Sequence, residues 1–324
     1  MSHVEQLIVG GGIAGASLAA AVAGRRRTLL IEAEEQPGYH STGRSAAFWH
    51  EGYGGPLVAP LTRASQPMLE DGGYLSPRGA IHIARSGEKI ELVDGSVVRA
   101  LDRVELQRML PGLAAEWTHG ANEPSVADID VARLHGDYLA AARRAGAEVR
   151  TDARFAAAEP LAGGDWLVRL ADGTSLQAGC IVNAAGAWGD AVALACGVAP
   201  LGLMPKRRTM VQLGVGRPGL RSLPLVVGAD GSFYFKGEGD RSLWLSPHDE
   251  IDCLPCDAAP EEMDVAVAVD RFQKVVDWPV ESVERRWAGL RSGLPQLLLV
   301  RRPGRLRHPD RTGRGAIGRG AALG

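Results

Sequence analysis

Residues 7–15 read LIVGGGIAG, and residues 28–32 read TLLIE. Between these apolar runs lie a glycine loop with the spacing G-x-G-x-x-G and a run of small residues typical of a short helix. This order predicts a βαβ unit. Gly10 allows the sharp turn out of the first strand, Gly12 lets the backbone approach a pyrophosphate, and Gly15 lets the helix pack closely on the strand.

The ends of this unit carry the groups that a dinucleotide needs. Ile13 and Ala14 open the predicted helix, whose free N–H groups and dipole favour a diphosphate. Glu32 ends the second strand, where an acid accepts hydrogen bonds from ribose hydroxyls. The alternative is a glycine-rich turn in an α/β domain without a ligand, but the position of Glu32 argues against it. The segment therefore predicts a site for an adenine dinucleotide.

The composition excludes several classes of function. The chain has 324 residues and a net charge of −2, so it lacks the basic field that favours nucleic acid or an anionic membrane. No apolar run is long enough to span a membrane, and the first predicted strand starts too early to leave room for a secretory signal. We therefore expect a soluble, cytoplasmic protein without nucleic-acid or membrane partners.

Two cysteines have the spacing of a redox motif. Cys253 and Cys256 lie in an acidic, proline-containing loop with no βα unit after it. We expect no functional thiol pair at this loop and no metal site in the chain.

A second cofactor-binding segment follows the acid directly, in residues 36–47, which read QPGYHSTGRSAA. Its hydroxyl groups and glycines suit a diphosphate, and its arginine adds a positive charge. Such a loop suits FAD, whose ribityl chain runs into the core, better than NAD; an ordinary polar loop is the alternative. A turn of small residues after the apolar run 180–183 also permits close approach of the cofactor. The predicted cofactor residues of these two segments are Ser41, Thr42, Gly43, Arg44, Ser45, Ala46, Ala184, Gly186 and Trp188.

The rest of the pattern separates helices from a β-rich segment. Helical spacing occurs over residues 53–68, 101–110, 131–146 and 260–276. Apolar or alternating runs predict strands at 79–85, 148–151, 166–170, 175–177 and 180–185, and several more between 206 and 287. The predicted fold is α/β: a discontinuous, Rossmann-like FAD-binding domain with an inserted, antiparallel β-rich α+β substrate domain.

Seven motifs recur in the order found in a known family. They are residues 10–15, 39–47, DID at 128–130, 183–188, PKRR at 205–208, SFY at 232–234 and WAGLRS at 287–292. In this order the chain resembles the D-amino acid oxidase group of FAD enzymes, and most of all its bacterial D-arginine dehydrogenase type, over about residues 4–292.

The resemblance implies FAD-dependent oxidative deamination of a D-amino acid. Hydride leaves Cα for flavin N5, and water hydrolyses the imine to a 2-oxo acid and ammonia. The resemblance also implies that the guanidinium of Arg291 binds the substrate carboxylate, that Arg208 and Tyr234 assist, and that Tyr53 lies over the active site. The sequence does not identify the electron acceptor, which is oxygen, a quinone or an electron carrier.

Two departures from the family bear on the substrate. D-arginine dehydrogenases carry an acid where this chain has Ala80, which cannot pair with a cationic side chain. In the lid, Phe48 and His50 replace a histidine and a threonine. We therefore expect a neutral or apolar substrate side chain. A related FAD oxidase of glycine, sarcosine or a 2-hydroxy acid, and a non-catalytic flavoprotein remnant, are the alternatives.

The resemblance also implies the domain bounds. Residues 1–78, 128–204 and 288–293 form the FAD-binding domain, and residues 79–127 and 205–287 form the substrate domain. Residues 294–324 depart from the family, which continues with a segment resembling GQGGFGIQTAP over the flavin. This chain has a run biased to arginine, proline and glycine that fits no packed element. We expect an out-of-frame or disordered tail and, as a result, impaired FAD binding and activity.

The tail leads to a prediction about the gene. Codons can be chosen for the segment after Ser292 so that reading one base later gives PNFFWFVGQGGFGIQT. We expect the nucleotide sequence to contain a deletion that changes the reading frame just after Ser292. Reading the gene tests this, and an intact frame with no hidden motif contradicts it.

Overall fold

The computed structural model describes residues 2–53, 55–90 and 98–291, and the backbone of residues 298–300. The chain divides into two units. The first contains residues 2–43 and 132–204 with the strand at 298–300, and the second contains residues 44–131 and 205–291. Apart from that strand, the tail predicted at 294–324 lies outside the described residues.

The helices of the described chain are α1 (Ile13–Val22), α2 (Gly55–Asp71), α3 (Arg103–Met109), α4 (Val131–Arg144), α5 (Gly189–Ala195) and α6 (Glu262–Gln273). Its strands are β1 (Ser2–Val9), β2 (Thr28–Ile31), β3 (Phe48–Trp49), β4 (Leu75–Pro77), β5 (Ala80–Arg85), β6 (Arg99–Leu101), β7 (Trp117–Glu123), β8 (Ala127–Ile129), β9 (Glu148–Arg150), β10 (Phe155–Pro160), β11 (Trp166–Leu170), β12 (Ser175–Asn183), β13 (Lys206–Val215), β14 (Leu225–Gly228), β15 (Tyr234–Gly237), β16 (Ser242–Ser246), β17 (Ile251–Asp252), β18 (Val280–Arg291) and β19 (Leu298–Val300). Among the described residues, no helix is both long enough and apolar enough to cross a bilayer.

The first unit is built on a seven-stranded sheet with the order β10–β11–β12–β1–β2–β9, in which β19 also pairs with β12. Strands β12, β1, β2 and β9 run parallel, as expected for a Rossmann-like fold. The second half of β1 is buried on both faces: Ile8 packs in a cluster with residues of α1 and α4, whereas Leu7 and Val9 pack on the side of α5. Burial on both faces explains why residues 7–9 form a continuous apolar run.

The second unit contains a nine-stranded sheet with the order β17–β13–β16–β15–β14–β5–β7–β6, in which β18 also pairs with β13. Most pairs are antiparallel, and β14 and β5 form a parallel pair. Ile81, Val211 and Phe235 point to one face and form a core with residues of α3 and α6. A three-stranded sheet, β3–β8–β4, belongs to the same unit.

The predicted α/β fold with an antiparallel β-rich part is confirmed, although several bounds differ. The helix predicted over 53–68 is α2, which begins at Gly55 and continues through Pro60 and Pro67. The runs predicted as separate strands at 175–177 and 180–185 form the single strand β12, because nearly its whole length pairs with β1.

Three segments that the sequence assigns to the FAD-binding domain make most of their contacts within the second unit. The sequence assigns residues 44–78, 128–131 and 288–291 to the FAD-binding domain, whereas their contacts place them in the second unit. Arg44 shows the reason, because its guanidinium donates to the carbonyl oxygens of Ala258 and Ala288, at 2.9 and 3.1 Å, in the same unit. The assignment of domains by function stays a prediction.

Candidate active site

The turn after β1 is packed so closely that only glycine fits. A Cβ atom on Gly10, whose φ is +109°, would lie 2.4 Å from the carbonyl oxygen of Ala184. A Cβ atom on Gly15 would lie 1.9 Å from the carbonyl oxygen of Gly10, and one on Gly12 would lie 3.2 Å from the hydroxyl of Thr42. These contacts bring three backbone segments together without side chains between them. The predicted roles of these glycines require this geometry.

A cavity of about 350 Å³ lies at the carboxyl ends of β1 and β2, within the size range of small-molecule sites. The predicted cofactor residues that line it are Gly10, Gly12, Ile13, Ala14, Glu32, Ser41, Thr42, Ala184, Gly186 and Trp188. Gly15 and Gly43 support the wall from behind; the N–H of Gly43 donates to the carbonyl of Gly38 at 2.8 Å.

Glu32 holds the glycine loop against the end of β2. One carboxylate oxygen accepts from the N–H of Gly11 at 2.8 Å. The other accepts from the N–H groups of Ala33 and Glu34, at 2.7 and 3.1 Å. Since Glu32 also lines the cavity, its carboxylate is positioned where a ribose would meet it.

His135 of α4 supports the same loop, and the sequence offered no sign of it. Its Nε2 lies 2.8 Å from the carbonyl oxygen of Gly11. A Cβ atom on Gly38 would lie 2.8 Å from the His135 ring. The contact joins residues 124 positions apart, and a single buried histidine in an amphipathic helix gives no signal of such a partner.

Arg44, Ser45 and Ala46 belong to the second unit and make contacts there. The Arg44 guanidinium forms an ion pair with Asp257. The hydroxyl of Ser45 accepts from the N–H of Ala47 at 3.1 Å, and Ala46 packs against a small apolar cluster described below. Their role in binding the cofactor stays a prediction.

The predicted substrate residues share one face of the nine-stranded sheet. Directly opposed residues of paired strands point to the same face, as does every second residue along a strand. Arg208 is opposite Gly289, and Lys206 is opposite Arg291, so both predicted arginines lie on this face. Across the sheet, this face carries Glu123, Ala80, His82, Val227, Tyr234, Trp244, Gln212, Arg208 and Arg291.

Arg291 and Tyr53 are in direct contact. The guanidinium donates to the tyrosine hydroxyl, and its central carbon lies 5.6 Å from the centre of the tyrosine ring. Burial lowers the pKa of Arg291 from its ordinary value, but an arginine remains charged. Its side chain is still 37% exposed, so an anionic group can reach the charge.

Arg208 is buried and already holds a carboxylate. Its Nε donates to the carbonyl oxygen of Asp249 at 2.9 Å, and a terminal nitrogen donates to the carboxylate of Glu250 at 2.7 Å. The same oxygen of Glu250 lies 4.0 Å from a terminal nitrogen of Arg291. One carboxylate therefore lies within reach of both guanidinium groups.

Tyr234 lies in an apolar cluster with Ala80 and Met210, against which Phe48 packs. Its hydroxyl donates to the sulfur of Met210 at 3.2 Å, and the Phe48 ring meets its ring edge to face at 5.8 Å. Burial raises the pKa of Tyr234, so its hydroxyl stays protonated at neutral pH. His248, at 5.4 Å between ring centres, has a lowered pKa because of burial and the nearby charge of Arg208.

His50 shares a buried partner with His82. The Nε2 atoms of His50 and His82 lie 3.0 and 2.9 Å from the same oxygen of Glu123. Burial alone would raise the pKa of Glu123, but the hydrogen bonds from both imidazoles outweigh it and lower that pKa to about 2. The sequence singled out His50 but neither partner, because the three residues lie on separate strands or turns.

The cysteine pair is close but poorly suited to redox chemistry. The sulfur atoms of Cys253 and Cys256 are 3.6 Å apart. Burial and the neighbouring Cys253 raise the pKa of Cys256, which disfavours the reactive thiolate.

A model of the family described as FAD dependent oxidoreductase matches residues 6–312. The chain belongs to this family. FAD is therefore the cofactor, as the two predicted loops indicated. The cradle of the first unit fits that group: its glycines leave room for a backbone-bound diphosphate, and Glu32 stands at the ribose position.

Several solved enzyme structures are similar in fold to this chain. An L-α-glycerophosphate oxidase from Mycoplasma pneumoniae with FAD bound is 15% identical, with a TM-score of 0.79 over 90% of this chain and 84% of that chain. A glycine oxidase from Geobacillus kaustophilus is 20% identical, with a TM-score of 0.73 over 91% and 85%. An L-proline dehydrogenase from P. horikoshii is 17% identical, with a TM-score of 0.75 over 99% and 86%. At these identities the likeness concerns the fold of an FAD-dependent oxidoreductase.

The glycine cradle yields a test of cofactor binding. We expect Gly10→Ala to reduce FAD affinity at least about tenfold, because the added methyl group would displace the backbone at Ala184. The measurement is titration of the apoprotein with FAD, followed by flavin fluorescence. The matched control is Gly136→Ala in α4, where a Cβ atom meets nothing within 4 Å. Equal FAD affinity in the two variants would contradict the assigned site.

Proposed function

We propose that this FAD-dependent oxidoreductase catalyses the oxidative deamination of a D-amino acid with a neutral side chain. The observation that carries the proposal is the placement of Arg291, Arg208 and Tyr234 on one sheet face, with Tyr53 against Arg291. The enzyme is expected to be impaired if its tail is out of frame.

The two arginines supply a site for the substrate carboxylate. Guanidinium groups can bind carboxylates through two parallel hydrogen bonds. Arg208 already donates one hydrogen bond to the Glu250 carboxylate, from a terminal nitrogen at 2.7 Å. The Glu250 side chain is 61% exposed, so an entering carboxylate can replace it without leaving a buried charge unpaired. Tyr53 then donates to the same carboxylate or keeps the Arg291 guanidinium in place.

The neighbouring surface favours a neutral side chain. Ala80 is fully buried and carries no charge, and it shares an apolar cluster with Tyr234 and Phe48. A cationic side chain placed there would lose its hydration, which costs several kcal/mol unless it is paired. The acid opposite Ala80 is Glu123, whose carboxylate is already bonded to His50 and His82. An uncharged side chain gains about 0.8 kcal/mol for each buried methylene.

The chemistry divides between the cofactor and these side chains. Bound FAD supplies the two-electron oxidation by accepting the hydride from Cα, while the amino group loses a proton and becomes an imine. The arginines bind and orient the substrate through its carboxylate, which directs Cα–H. Tyr234, protonated at neutral pH, donates a hydrogen bond without adding charge. Water hydrolyses the released imine to a 2-oxo acid and ammonia.

The names of the similar structures indicate which alternatives need testing. One is a glycine oxidase, one is an iminodiacetate oxidase from Chelativorans sp. BNC1, and one is an L-α-glycerophosphate oxidase. Glycine, an N-substituted amino acid and a hydroxyl substrate therefore belong in the panel. The D configuration and the likeness to D-arginine dehydrogenases rest on the order of the sequence motifs.

The substrate class is tested by anaerobic reduction of the flavin. We expect D-methionine and D-phenylalanine to bleach the FAD-loaded protein with a higher kcat/KM than D-arginine, because Ala80 carries no charge and Glu123 opposite it is already bonded to two histidines. Sarcosine, glycine, L-methionine and 2-hydroxy acids complete the panel. Faster bleaching by any of these or by D-arginine contradicts the proposal. A yellow protein that no substrate reduces favours the non-catalytic remnant.

The carboxylate site is tested with Arg291→Lys. Lysine keeps the charge but loses the two-bond fork, so we expect kcat/KM to fall at least about tenfold, mainly through KM. The control is Arg286→Lys on the same strand, whose side chain is exposed. Steady-state kinetics with the best D-amino acid measures both. If the two variants match the parent, Arg291 does not bind the carboxylate.

A further inference from the structure

In the cluster of His50, His82 and Glu123, one carboxylate oxygen has two hydrogen-bond partners and the other has none. The Nε2 atoms of both imidazoles are within hydrogen-bond distance of the same oxygen of Glu123, at 3.0 and 2.9 Å. The second oxygen, Oε1, is buried and has no hydrogen-bond partner among the described residues. A buried carboxylate oxygen without a partner costs about 1–3 kcal/mol or more.

The charge of this carboxylate is also poorly balanced. The side chain of Glu123 is 1% exposed, and the ion pairs that the described residues form with it involve the two histidines alone. An imidazole donates a hydrogen bond in either protonation state, and no arginine or lysine among the described residues forms an ion pair with this carboxylate. The cluster therefore favours a cation at its centre.

The three ligand atoms are spaced for a small divalent cation. They all lie within 4.8 Å of one another. A tetrahedral zinc ion with bonds of about 2.0–2.1 Å separates its ligands by about 3.3 Å. The two nitrogen–oxygen distances, 3.0 and 2.9 Å, are within a few tenths of an ångström of that spacing. The side chains of His50 and His82 are 19% and 13% exposed, which gives water and the ion access to a fourth position.

We propose that His50, His82 and Glu123 form a binding site for a zinc-type divalent cation. Two imidazoles and one carboxylate are a donor set that zinc accepts, with a water molecule as the fourth ligand. A cation held there would offset the buried negative charge of Glu123. From the sequence we expected no metal site in the chain; this proposal rests on the structure alone, and it does not depend on the proposed substrate.

The test uses the full-length flavoprotein treated with a chelator, with Cys253→Ser and Cys256→Ser as the background. These changes are needed because the two sulfur atoms, 3.6 Å apart, are themselves zinc ligands. Titration with zinc chloride by calorimetry, and elemental analysis after gel filtration, are expected to show one zinc ion per chain. We expect Glu123→Gln and, separately, His50→Ala to weaken zinc binding at least about tenfold.

The control is His119→Ala, which removes a histidine of β7 that bonds instead to Thr118 and the carbonyl of Glu88. It is expected to bind zinc as the background protein does. Circular dichroism confirms folding, and if Glu123→Gln does not fold, the more exposed His50→Ala decides the question. The proposal is overturned if the background protein takes up no zinc, or if His50→Ala binds it as tightly as His119→Ala. Zinc binding and flavin bleaching are measured separately. A negative zinc result therefore overturns the metal site without bearing on the proposed substrate.

Discussion

The alternation of side chains across the nine-stranded sheet is the constraint on which the candidate substrate site depends. Ile81, Val211 and Phe235 point into the core under α3 and α6, whereas the residues next to them point to the opposite face. Arg208 and Arg291 reach that second face because β13 and β18 pair in one particular register. A shift of this pairing by one residue would turn one arginine into the core, where its charge would have no water.

The same face carries buried charges, and their partners explain how the sheet tolerates them. Lys236 is nearly buried and donates to Asp128 at 2.9 Å, and Asp128 also pairs with Arg78. Arg208 forms an ion pair with Glu250. Glu123 contacts two imidazoles through one oxygen, and its other oxygen has no hydrogen-bond partner among the described residues. Breaking a buried pair leaves an uncompensated charge, which costs about 3–5 kcal/mol. The imbalance at Glu123 therefore stands out against neighbours whose charges are matched.

The sequence indicates the close packing of the first turn because the contacts there are local. The glycines of the first turn and Glu32 lie within about twenty-five residues, and their spacing follows from the geometry of a βαβ unit. Glu123, His82 and Glu250 escaped prediction because their positions depend on pairing between strands far apart in the chain. The contacts of Arg44 escaped prediction for a similar reason, since its partners Asp257 and Ala288 lie more than two hundred residues away.

In the proposed function, Arg208 and Arg291 would select for a carboxylate, and the apolar cluster around Ala80 would select among the acids that carry one. Amino acids and 2-hydroxy acids present the same anionic group to Arg291, so this contact contributes equally to all of them. In the proposed function, Ala80, Phe48 and Tyr234, which pack together, would instead contact whatever extends from Cα. Each methylene that fits such a surface is worth about 1–3 kcal/mol of discrimination. A substrate with an extended apolar side chain is therefore expected to be favoured over glycine, which has no side chain to contact that apolar surface.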